Sequence, residues 1–110
     1  HDAAEAYVQD MPAPLKALLP DYRQMEQMVD DLIREKFSLP REHSPVVKRA
    51  DLTMLATERR DLEIDDGTRW SVLEGIPESD IIQVDPLRPG QAYALFINRF
   101  NELTEIRKCA

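Results

Sequence analysis

Proline decides where this chain can be helical. Eight of its 110 residues are proline. Proline fits the first turn of a helix and breaks the helix further in. Pro12 and Pro14 therefore end whatever precedes them, and residues 12–19 read as a short proline-started helix. Pro20 opens the next helix, with Asp21 at its positive end, and that helix runs to about residue 37, where Leu39-Pro40 closes it. Ser44 before Pro45 pairs an N-cap with a first-turn proline, so a third long pattern starts there and runs to about residue 62. Pro89-Gly90 opens the last one, to about residue 108. Residues 1–8, rich in alanine, form a helix at the very start. Asp65-Asp66-Gly67 is a turn, without the spaced ligands of a calcium loop. Trp70, Val72 and Leu73 suggest a short helix, and residues 76–89 an extended connection. The expected fold class is all-α, in one domain without internal repeats.

Periodicity then assigns faces. In the first long helix Tyr22, Met25, Met28, Val29, Leu32, Ile33 and Phe37 are expected inside. In the last, Ala92, Tyr93, Phe96, Phe100, Leu103 and Ile106 form the expected buried stripe. Leu15, Leu18 and Leu19 point inward and Lys16 outward. His43 reads as a loop or helix-entry histidine. Arg59, Arg60 and Asp61 read as a solvated face or as interhelix pairs.

Composition excludes several roles. A net charge of -7 argues against a general nucleic-acid surface. No apolar run approaches the ~20 residues that span a bilayer. A single cysteine, Cys109, allows no internal disulfide. Together these favour the cytoplasm.

Two places concentrate chemistry. The first ten residues hold His1, Asp2, Glu5 and Asp10. On a helix His1 and Glu5 lie four apart and Asp2 and Glu5 three apart, so they share one side. Three carboxylates this close read as a wet acidic face, the commoner outcome, or as part of a cation site. The second place is Asp51. Val47, Met54, Leu55 and Leu62 fall within about 60° of it around the axis. A carboxylate in the middle of an apolar stripe needs a metal, a hydrogen bond or a basic partner. Both readings, metal ligand and structural pair, stay open on spacing alone.

The blocks His1-Asp2-Ala3-Ala4-Glu5, Asp10-Met11-Pro12-Ala13-Pro14-Leu15-Lys16 and Val47-Lys48-Arg49-Ala50-Asp51 resemble the HD-domain metal-dependent phosphohydrolases. They look most like the branch of 5'-deoxynucleotidases and dATP triphosphohydrolases. The resemblance spans roughly the first 62 residues and implies the C-terminal portion of an HD-domain helical bundle. It implies His1, Asp2 and Asp51 as ligands of a divalent ion: Mn, Co, Zn, Fe or Mg. It implies Glu5 and Asp10 as catalytic residues and Lys16 as a phosphate contact. The family's first metal-binding histidine, on an upstream helix, has no counterpart here. The expectation is therefore a partial domain over residues 1–110 with its upstream helices missing. The expected activity is hydrolysis of a deoxynucleotide phosphate ester or anhydride by a metal-activated water. The alternative is a catalytically incomplete helical interaction or regulatory module. Exposed helix faces suggest a homo-oligomer.

Overall fold

The computed structural model describes residues 2–109, with side chains to residue 106. Its regular structure is all-helical among the described residues. A 3-10 turn at Asp2–Ala4 leads into α1 (Glu5–Val8). Then come α2 (Ala13–Lys16), α3 (Pro20–Lys36) and α4 (Pro45–Asp61). A second 3-10 turn at Ser71–Leu73 precedes α5 (Pro89–Cys109). The chain divides into two compact units, His1–Leu52 and Thr53–Ala110.

The local rules work at the helix ends. Pro20 takes the first turn of α3, with Asp21 beside it and Arg34 and Lys36 in the last turn, each charge matching the helix dipole. The helix stops in a Schellman motif. Ser38 adopts φ 52, and the Ser38 and Leu39 amides donate to the Glu35 and Arg34 carbonyls at 3.1 and 2.9 Å. At the start of α4 the Val47 amide donates to Ser44 Oγ at 3.3 Å, so Ser44 is the expected cap. The Gly67 amide donates to Asp65 and the Thr68 amide to Asp66, both at 2.9 Å, which makes the expected acidic turn.

The faces follow the periodicity only in part: on α3 Tyr22, Val29 and Ile33 are half-buried as expected. In the first unit the initial 3-10 turn, α1 and α2 all pack on α3. What α3 turns toward them is a mixed stripe, Tyr22, Glu26, Val29, Asp30, Ile33 and Arg34. Met25, Met28 and Leu32, expected inside, stay 60%, 60% and 65% exposed. Leu15, Leu18 and Leu19 are exposed and Lys16 is the half-buried residue of α2, the reverse of the expectation. The reason is visible in the bonds: ion pairs and hydrogen bonds made by α3 outcompete the more apolar strip for the inner position.

In the second unit the end of α4 anchors a long connection. Thr57 is fully buried; its hydroxyl donates to the Thr53 carbonyl and accepts the Ser79 amide at 2.9 Å. Arg59 pairs with Asp65, donates to the Thr68 carbonyl and lies 4.6 Å from the Trp70 ring centre. Arg60 reaches the Ser79 and Ile82 carbonyls, each at 3.0 Å. Asp61 takes the Val84 amide at 2.7 Å. Arg59, Arg60 and Asp61 are thus the tethers of residues 65–84 and not interhelix pairs; Arg60 stays exposed, as a solvated face requires, while Arg59 and Asp61 are half-buried. The stripe expected to be buried on α5 is exposed: Tyr93 is at 69% and Phe96 at 68%, with Phe100, Leu103 and Ile106 also open.

Candidate functional site: an acidic pocket with one lysine

The first unit holds a cavity of about 230 Å³. Asp2, Glu5 and Lys16, three residues singled out in the sequence, line it together with Glu26, Asp30 and His43. The 3-10 turn and α1 bring Asp2 and Glu5. The proline-started α2 brings Lys16. The polar stripe of α3 supplies the wall.

Lys16, Glu26 and Asp30 in the wall are each held by a charged partner. Lys16 Nζ donates to Glu26 Oε1 at 2.7 Å and stands 5.7 Å from the Tyr22 ring centre. That bond to Glu26 is the main reason the Lys16 ammonium stays charged beyond its ordinary range. Arg34 is only 6% exposed and is the hub of the far end. Its guanidinium donates to Asp30 Oδ2 at 2.6 Å, to the Pro40 carbonyl at 2.5 Å and to the His43 ring, with Nδ1 at 2.8 Å. His43 does lie in the linker before α4, as expected, but Arg34 draws it to the cavity.

Glu5 carries the electrostatic tension of the pocket. Burial pushes its carboxyl above the ordinary range, and the nearby charges of Asp10 and then Asp2 push it further. Lys16 opposes them weakly. A carboxyl raised in this way among other acids is a sound candidate for proton transfer. Asp10 is exposed and not part of the cavity wall, although its charge is felt at Glu5.

Of the three ligands implied by the resemblance, Asp2 and Asp51 fall among the described residues. Asp2 lines the cavity. Asp51 does not; on α4 it pairs with Lys48 Nζ at 2.9 Å, one helical turn away. His1 lies outside the described residues. Among the described residues no three His, Cys, Asp or Glu side chains gather as a metal shell.

Glu26, Asp30 and Arg34 were missed by reading the sequence for motifs. A signal was present: with Tyr22 they recur at every fourth position, which sets four polar groups along one side of a helix.

No helix among the described residues is long and apolar enough to cross a membrane. In short, the fold and cavity define an all-α chain with an acid-rich pocket holding one lysine. Among known proteins, the uncharacterized protein YfdR of Escherichia coli strain K12 is similar, 63% identical over all 110 residues. The chain spans 62% of the length of that relative. No family model matches the chain, and no solved structure matches it.

Proposed function

We propose that this chain belongs to a divalent-metal-dependent phosphohydrolase of the HD-domain kind, acting on deoxynucleotides. The observation that carries the reading is the convergence of Asp2, Glu5 and Lys16 on one cavity. They come from two of the blocks that resemble that family, and nothing but folding requires them to meet.

The roles follow from the chemistry of the groups. Lys16 offers a phosphoryl oxygen a point charge, which it first takes from its partner Glu26. Glu5, held above the ordinary carboxylate range, is placed to accept or return a proton. Asp10, at the edge, orients the sugar or the leaving group. A divalent ion held by Asp2, His1 and Asp51 would supply water activation and charge neutralisation. The cavity wall carries four carboxylates, Asp2, Glu5, Glu26 and Asp30, against one lysine. A phosphate anion enters such a site only with added positive charge, which favours the metal-dependent form of the reaction.

The same reading places the protein in the cytoplasm, where deoxynucleotides are found. The exposed α5 stripe of Tyr93, Phe96, Phe100, Leu103 and Ile106 supports a homo-oligomer. It equally favours the alternative, a helical interaction module without turnover.

The test is phosphate release by the whole protein from deoxynucleotide and ribonucleotide mono- and triphosphates, with Mn, Co or Mg and with chelator. Release that needs the ion and prefers deoxyribose supports the enzyme. No release from any substrate with any ion favours the interaction module.

A further inference from the structure

The turn between α1 and α2 is strained at one residue. Gln9 has φ 67 and ψ 158, a backbone conformation that only glycine adopts freely. Both of its peptide groups are tied. Its amide donates to the Glu5 carbonyl at 2.8 Å. Its carbonyl accepts the Tyr22 hydroxyl at 2.5 Å, from a helix 13 residues further on. The next residue is Asp10. The ring that carries this hydroxyl also faces Lys16 Nζ, at 5.7 Å from its centre.

We propose that Tyr22 is a positioning residue of the site: its hydroxyl holds Gln9 in the strained conformation that aims Asp10, and its ring steadies Lys16. A glutamine relaxes out of this region when nothing holds it, and the direction of the following side chain changes with it. The hydroxyl of Tyr22 is the tertiary hydrogen bond that holds the Gln9 carbonyl. Tyr22 is not itself a wall residue of the cavity and meets no reacting atom; it acts through Asp10 and through the wall residue Lys16. In its kinetic arm the inference rests on the phosphohydrolase reading above, so its test has a second arm that needs no turnover.

The experiment compares the whole protein with Tyr22→Phe, Gln9→Gly and the double variant. Phenylalanine keeps the ring beside Lys16 and removes only the hydroxyl. Glycine at position 9 adopts the same backbone without strain. On dAMP and dATP with Mn, Tyr22→Phe is expected to lower kcat about tenfold with KM within about twofold, because misaim of a catalytic group costs rate. Gln9→Gly alone keeps wild-type kcat, and the double variant recovers to within about threefold. Amide exchange at residue 9, whose N–H is bonded to the Glu5 carbonyl, is the second arm. It speeds up in Tyr22→Phe and returns toward wild type in the double variant. Unchanged kcat in Tyr22→Phe, or no recovery in the double variant, overturns the proposal. Should the wild type hydrolyse nothing, the phosphohydrolase reading falls and exchange decides alone: unchanged exchange in Tyr22→Phe overturns the inference, and faster exchange reversed by glycine sustains it.

Discussion

Lys16 Nζ and Glu26 Oε1 stand 2.7 Å apart, each side chain about a quarter exposed. This pair joins α2 to α3 and fixes the one lysine of the cavity. Lys16 gains its raised pKa chiefly from that bond. A cation with a raised folded pKa contributes stability that is complete below its unfolded pKa and is lost as pH rises through the folded one. The stabilisation therefore persists through neutral pH and fades only in the alkaline range. Glu26→Gln is expected to cost about 1 kcal/mol at pH 7, with Tm lower by roughly 4 °C. The deficit shrinks above about pH 10, where the wild-type lysine also loses its charge. Thermal unfolding of both proteins from pH 7 to 11 measures it.

Arg34 should be the costliest single residue of the first unit. Removing its guanidinium takes the ion-pair partner from the half-buried Asp30 carboxylate and removes the bonds to the Pro40 carbonyl and the His43 ring. Arg34→Met is expected to cost about 2–4 kcal/mol. Arg34→Lys recovers little, since one ammonium cannot reach three acceptors set in different directions. Adding Asp30→Asn to Arg34→Met returns part of the loss by removing the orphaned charge. Urea unfolding of the three variants gives the ordering.

Thr57 tests the second unit. Its buried hydroxyl links the end of α4 to the Ser79 amide. Thr57→Val keeps the shape and strands that amide. The expected cost is about 1–2 kcal/mol. Amide exchange at Ser79 is expected to rise far more than exchange at the helix α5 amides, which do not depend on this bond.

Glu5 links stability to function with a sign opposite to that of most acids. Its folded pKa is raised by burial and by the charges of Asp10 and Asp2. The folded chain thus holds the Glu5 proton more tightly than the unfolded chain does. That contribution is complete at low pH and is lost as pH rises through the carboxylate range. Glu5→Gln is therefore expected to raise Tm at pH 7 while abolishing turnover. The gain should vanish as pH falls below about 4, where the wild-type carboxyl is protonated in both states. A Tm difference independent of pH would contradict the strained-carboxyl description.

Much of this was legible in the sequence, and the boundary is physical. Helix ends were readable because they are local. Pro20, Ser44-Pro45 and Pro89 each place a helix start within its own few residues. Helix faces were less readable. Periodicity marks the apolar strip, and of the seven residues it marks on α3, Tyr22, Val29 and Ile33 are half-buried while Met25, Met28, Leu32 and Phe37 are exposed. The structure adds Glu26, Asp30 and Arg34 to the inner side, and the partners of this stripe, Gln9, Lys16 and His43, lie on other elements. No local rule reports such partners. The same limit applies to the site. Asp2 and Glu5 were found by spacing and resemblance and Lys16 by resemblance, while the four-residue recurrence that holds Glu26 and Asp30 does not report which elements lie beside it. The buried stripe expected on α5 failed for a related reason: apolar spacing tells which residues share a face, and not whether anything covers it.

The most direct measurement is kcat/KM of the whole protein and of Glu5→Ala for phosphate release from a deoxynucleoside monophosphate with Mn. Loss of two to four orders of magnitude in Glu5→Ala, with the fold intact by circular dichroism, is the expected result, about the worth of a general acid–base group. Hydrolysis by Glu5→Ala as fast as by the wild type would contradict it.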